Sequence, residues 1–182
     1  MNTLRVSLLA SLLSVAAFAA TPEPGYVDFG KFSPSADGQF VEVNLQNGLL
    51  KFAATLAGTQ EPEVAELLRN LKHVRVNVVG LDDANRRETT EHVARIRREL
   101  TNQGWTQIVT VKGGEKKAED VAIYTKQNPD DSIAGIVITV IDNGREAVLV
   151  NIVGDIKPEQ IATIAERLHI DPLKKIAANV EK

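Results

Sequence analysis

The sequence predicts an α+β fold: a two-layer sandwich with a mostly antiparallel sheet and helices mainly on one face. Three observations predict it. Strand-like alternation is interrupted by long amphipathic stretches, and two dense aliphatic runs, Ile133 to Ile141 and Ala147 to Val153, flank a turn. The last four strand patterns are also joined by loops too short for anything but antiparallel pairing. The resulting order is β-αα-β-α-β-β-β-β-α.

Each element has its own local reason. Residues 20–39 are rich in Pro, Gly and Ser, a composition that resists packing and reads as a flexible leader. Tyr26, Phe29 and Phe32 interrupt it at spacing three, so a short part of it could dock. Val41, Val43 and Leu45 alternate with Glu42 and Asn44 as a half-buried strand. Leu49, Phe52, Ala53 and Leu56 form the inward stripe expected of a helix that stops at Gly58. Thr59 is the expected cap of the next helix, with Pro62 in its first turn and Val64, Leu67, Leu68 and Leu71 inward.

Val74, Val76 and Val78 alternate with Arg75 and Asn77 as a second strand. Asp82 or Asp83 caps a long helix with Val93, Ile96 and Leu100 inward, ending at Gly104. Trp105 to Lys112 and Val121 to Thr125 are the third and fourth strands. The aliphatic runs around Asp142-Asn143-Gly144 make a central hairpin, because Asn and Gly tolerate the positive φ of a tight turn. Pro158 opens a final helix with Ile161, Ile164, Ala165 and Leu168 inward. One domain over 40–178 with a frayed tail at 179–182 follows, and its closest common comparison is a ferredoxin-like arrangement. The strand, long helix and strand over 74–112 suggest one right-handed parallel crossover.

Two stretches carry a resemblance. Gly25-Tyr26-Val27-Asp28-Phe29-Gly30, then Val41 to Leu45 running through Leu49-Leu50 to Leu67-Leu68-Arg69-Asn70-Leu71-Lys72-His73-Val74-Arg75-Val76, resemble an uncharacterised exported bacterial family, domain of unknown function 4252. The resemblance implies export and no assigned activity, and some relatives accompany sigma-factor and anti-sigma genes of envelope regulation. It transfers no functional residue. Many relatives carry a lipobox cysteine, which this chain lacks.

Residues 1–19 read as a cleavable signal peptide. Arg5 supplies the positive start, Val6 to Val15 the apolar run, and Ala17-Phe18-Ala19 the small residues before a cut. The expected location is therefore exported and periplasmic, without a membrane anchor. The remaining 163 residues suffice for one stable core. They hold 20 Lys+Arg against 24 Asp+Glu, a formal charge of −4, which argues against nucleic acid and anionic membrane as partners. The chain has no cysteine, which removes thiol catalysis, thiolate metal sites and disulfides.

Each residue type that could carry chemistry has a plainer reading. His73, His92 and His169 lack the spacing of a helical zinc site, so no metal ligand is expected. Ser33, Ser35 and Ser132 lack a nucleophile elbow, and Ser132 reads as a turn residue. Asp82-Asp83 and Asp130-Asp131 lack the alternating ligands of a calcium loop. Gly113-Gly114 with Lys116 and Lys117 lacks phosphate-loop spacing and reads as a hinge. Arg86, Arg87, Arg95, Arg97 and Arg98, interleaved with Glu88, Glu91 and Glu99, read as a solvated, salt-bridged helix face.

No catalytic, cofactor or metal residue is thus expected, and the protein is expected not to be an enzyme. The leading expectation is an exported accessory or interaction protein of the bacterial envelope, contacting an envelope protein or a second copy of itself. The rival is a periplasmic carrier or sensor of a small apolar ligand, and the third an enzyme with a convergent polar cleft. If the helices cover one face, alternation leaves Glu42, Asn44, Arg75, Asn77, Ile108 and Thr110 on the other as the candidate interaction face, joined by Thr139 and Asn151 if the registers agree.

Overall fold

Alternation of apolar and polar residues becomes, in the computed structural model, a sheet with helices on it. The structure describes residues 23–34, 39–113, 119–142, 145–157 and 159–167. Its elements are β1 (Phe40–Gln46), α1 (Asn47–Ala57), α2 (Pro62–Asn70), β2 (Leu71–Gly80), α3 (Arg86–Asn102), β3 (Thr106–Lys112), β4 (Glu119–Gln127), β5 (Ile133–Asp142), β6 (Glu146–Ile156) and α4 (Gln160–Arg167). That is the expected α+β order.

The strands lie in the order β1-β2-β6-β5-β4-β3, and every neighbouring pair is antiparallel. The short loops from β3 to β6 make a four-strand meander, and the β1–β2 pair is added beside β6. The ferredoxin-like βαββαβ comparison does not describe this order. β2 and β3 do run in the same direction, but β6, β5 and β4 stand between them. The crossover through α3 therefore spans the sheet rather than joining neighbours.

Most helices do share a face. Leu50, Leu67 and Ile164, from α1, α2 and α4, pack against Ile123, Ile138, Val150 and Ile152. α3 goes to the opposite face, where Val93, Ile96 and Leu100 meet Ala122, Tyr124, Val137 and Leu149. The cause lies in the central strands. β5 is buried without a break from Ile133 to Thr139, so both parities of the strand need cover, and helices on one side could not supply it.

The leader departs from its composition. Residues 23–34 lie on the α3 face, and Phe29 is only 1% exposed, so the packed unit begins ahead of residue 40. Two glycines allow the approach. A Cβ on Gly25, which has φ +89°, would stand 2.1 Å from the Ala134 carbonyl oxygen. A Cβ on Gly135 would stand 2.5 Å from the Gly25 carbonyl oxygen. Backbone lies on backbone there, which only a pair of residues without side chains permits.

α1 is turned the other way from expectation. Leu50 and Ala54 face the core, while Leu49, Phe52 and Leu56 are 53%, 58% and 70% exposed. Alanines let the helix approach the sheet and α2 closely, leaving the larger stripe outside. α2 opens at Pro62 with Glu61, not Thr59, in the cap position. In α4, Ile164 is buried and Ile161 half-buried as expected. Pro158, Leu168, the Ala165 side chain, the signal segment and the 179–182 tail fall outside the description.

Candidate functional site

The strand registers place the six candidate face residues. On β1 and β2, Glu42 faces Asn77 and Asn44 faces Arg75, so these four share a face as expected. The same rows continue through Asn151 and Thr139, which do lie on that face. Thr110 belongs to it too, opposite Ala122, but on β3 at the far edge of the sheet. Five strand spacings of about 4.8 Å put some 24 Å between Thr110 and Glu42. Ile108 sits at an irregularity between Gln107 and Val109. The six residues therefore form no single patch.

The middle of that face is not open to another molecule, although Glu42, Asn44, Ile108 and Thr110 toward its edges are exposed. Asn77, Thr139 and Asn151 are buried. The occupant is the chain's own leader and α3. The Asn151 side chain accepts from the Val27 backbone N–H (2.9 Å) and donates to the Gly25 carbonyl (2.9 Å). Arg75 binds Asp28 (3.1 Å) and Glu42 (3.0 Å), and its guanidinium lies 5.9 Å from the centre of the Phe29 ring. His92 Nε2–H donates to the Phe29 carbonyl (2.7 Å), while Arg95 donates to its Nδ1 (3.1 Å). The Asn85 side chain donates to the Ser33 and Gly80 carbonyls. Polar side chains that alternation sends to this face thus satisfy a segment with no regular pairing of its own.

The arginines of α3 divide in the same way. Arg87 pairs with Glu91 and Arg86 with Asp83, on the solvated side. Arg97 instead turns onto the sheet. It holds both Asp120 oxygens (2.9 and 3.0 Å) and donates from Nε to the Thr139 hydroxyl (2.8 Å). A residue read as solvent-facing is therefore the polar anchor of the long helix.

The other polar candidates take structural roles. Asp82 accepts from the Ala84 and Asn85 N–H groups at the entry to α3. Ser132 donates to Asp130 and accepts from Asn128 within a turn. His73 Nε2–H donates to the Asn44 Oδ1 (2.6 Å) and stacks on Tyr26. His169, Gly114, Lys116 and Lys117 lie outside the described residues. Among those described, no three His, Cys, Asp or Glu side chains stand where they could hold a metal ion, and no helix is long and apolar enough to cross a membrane.

An open groove of about 640 Å³ runs between the leader and the end of α3, with Tyr26, Leu100 and Trp105 in its wall. Glu23, Asp28, Glu99 and Lys126 also line it. Lys126 is already committed, donating to the Gln103 carbonyl at the helix end (2.6 Å).

What remains open is the α1 flank beside β1. α1 packs over β1 and β2, at the sheet edge, while α2 packs over β2 and β6. α1, with its stripe of Leu49, Phe52 and Leu56, thus lies on the face that Val43 of the edge strand shares, itself 37% exposed, whereas Phe40, 40% exposed, has the parity of Glu42 and belongs to the α3 face. Periodicity revealed the stripe but not its direction. The one sequence signal is that Leu50, Ala53, Ala54 and Ala57 make a second, smaller apolar stripe beside the first.

The family described as domain of unknown function (DUF4252) matches residues 35–164, from just ahead of β1 into α4. The chain belongs to that family. No curated protein and no solved structure is similar enough to match it. The DUF4252 region takes in β1, α1 and their exposed apolar residues, whereas Gly25 to Gly30 lie ahead of it.

Acid should loosen the leader first. The Gly30 backbone N–H, then Arg75, hold Asp28 below the ordinary carboxylate value, and burial, helped by the Arg75 charge, holds His73 below 6.5. Both folded values are depressed, so the stability they carry is complete above the unfolded values. It falls as pH drops through the folded ones: below 6.5 for His73, below 3.8 for Asp28. Amide hydrogen exchange at residues 25–30 should quicken between pH 7 and 5 relative to β5, after correction for intrinsic rates. His73→Gln should flatten that dependence. An unchanged profile in the variant would assign the effect elsewhere.

Proposed function

We propose that this DUF4252 protein is a non-enzymatic, exported interaction protein of the bacterial cell envelope. The observation that carries the reading is the outward apolar stripe of α1. Leu49, Phe52 and Leu56 are more than half exposed on one side of a well-packed helix, where water contact is costly and polar residues would serve folding equally well. Rigid apolar side chains on a surface helix are the usual material of a contact with another protein. The signal pattern of residues 1–19 supports export, and the relatives of the family resemblance support an envelope setting.

The groove between the leader and α3 speaks less well for a carrier of an apolar ligand. It is open, and Glu23, Asp28, Glu99 and Lys126 would each lose water to such a ligand.

Crosslinking of the exported protein in intact envelope, followed by recovery and mass spectrometry, tests the proposal. A specific protein should be recovered with the wild type. It should be lost with Phe52→Glu combined with Leu56→Glu, while the melting temperature stays within a few degrees, since neither side chain is buried. Equal recovery from the folded double variant would sink the reading.

A further inference from the structure

The two edges of the sheet are treated differently. β3 is interrupted between Gln107 and Val109 and ends on Lys112, devices that discourage another strand from adding. β1 has none of them. Its seven residues pair with β2 without a register break, from Phe40 opposite Val79 to Gln46 opposite His73. It contains no Lys and no Pro, and its one charge, Glu42, is paired with Arg75, which Asp28 shares. No described element pairs with its outer side.

We propose that β1 pairs with β1 of a second copy, antiparallel about a two-fold axis at Val43, so that the sheet runs through the dimer. The inference rests on the reading of the α1 flank as a contact surface and names its partner. A two-fold axis perpendicular to the sheet keeps each face on its own side, so only residues of like parity can face each other. With the axis at Val43, all seven residues are paired. Val41 faces the partner's Leu45, Val43 the partner's Val43, and Glu42 the partner's Asn44. The Asn44 Oδ1 already accepts from His73, which leaves its amide hydrogens for the carboxylate. Shifting the axis to residue 42 would set Glu42 against itself, and shifting it to residue 44 would leave Phe40 and Val41 unpaired. The strand is self-complementary in one register. The same axis brings the two α1 helices to one face of the joined sheet, side by side across it.

The absence of cysteine makes the register directly testable. In the exported full chain, Val43→Cys should form a disulfide between copies, because residues facing across an antiparallel pair lie about 4.5–5.5 Å apart at Cα. Phe40→Cys should not, since two copies of that position would be about 20 Å apart. Sedimentation equilibrium should give a wild-type dimer, and Val43→Lys should raise its dissociation constant at least about tenfold by placing like charges together. A monomer at every concentration, a dimer unaffected by Val43→Lys, or crosslinking at position 40 but not 43 would each overturn the proposal. If the protein is monomeric and the Phe52→Glu, Leu56→Glu variant still loses an envelope protein, the dimer falls while the broader reading stands.

Discussion

Phe29→Ala should destabilise the protein by about 3–5 kcal/mol if the leader stays in place, and release the leader if it does not. Phe29 is among the largest fully buried side chains, and it sits in the α3-side core with Val93, Leu100 and Trp105. Removing its ring leaves a cavity and takes away the apolar surface beneath the Arg75 guanidinium. The penalty has a ceiling, because nothing more is lost once residues 23–34 detach than the free energy that docked them. Urea unfolding and limited proteolysis therefore separate the outcomes. Either the unfolding midpoint falls with the leader still protected, or the leader is cut at native conditions and Asn151, which bonds Gly25 and Val27, gains access to water. A loss below about 1 kcal/mol with full protection would contradict the packing described.

Ile138→Ala should cost about 2–5 kcal/mol, the largest effect expected from one aliphatic truncation in the helix-rich face. Ile138 stands in β5 between Ile123 and Val150, and all three are buried in one cluster. The hairpin on either side of it holds the middle of the sheet, so neighbours on both flanks limit relaxation into the cavity. Ile108→Ala provides the control. The residue type is the same, but the site is 38% exposed on an edge strand, and the expected cost is about 0.5 kcal/mol or less. Comparable losses at the two sites in urea melts would remove β5 from the centre of the stability account.

Much of the sheet was legible from local pattern. The alternation of Val41, Val43 and Leu45 and of Val74, Val76 and Val78 is a two-residue period, and it assigns faces correctly once the strands are paired. Even Thr139 and Asn151 fall on the face that alternation assigns them. The continuous aliphatic run of β5 also carries more than a central position: a strand apolar on both parities implies cover on both faces, which α3 and the leader provide. The cover over the middle of the candidate face was illegible for a different reason. Alternation tells which side chains share a side, but says nothing about what lies over them, and Asn151 binds backbone more than 120 residues away. Arg97 shows the same limit, since its helical position suits solvent and only Asp120 and Thr139 turn it inward.

Sequence by itself determined the class of fold, the order of elements, the central hairpin and a chemistry without cysteine, because each depends on neighbours within a few residues. Tertiary structure alone decided the direction of α1, the docking of the leader and the two unlike edges of the sheet. A helix with apolar residues over half its circumference can turn either stripe inward, and the choice depends on which one fits closest against the sheet. Here the narrower stripe of Leu50 and Ala54 packs, and the larger side chains are left facing out. A leader poor in helix and strand formers can still be ordered when Gly25 and Gly135 let two backbones touch and Asn151 satisfies the polar groups between them. Those are contacts between distant parts of the chain, and no local period records them.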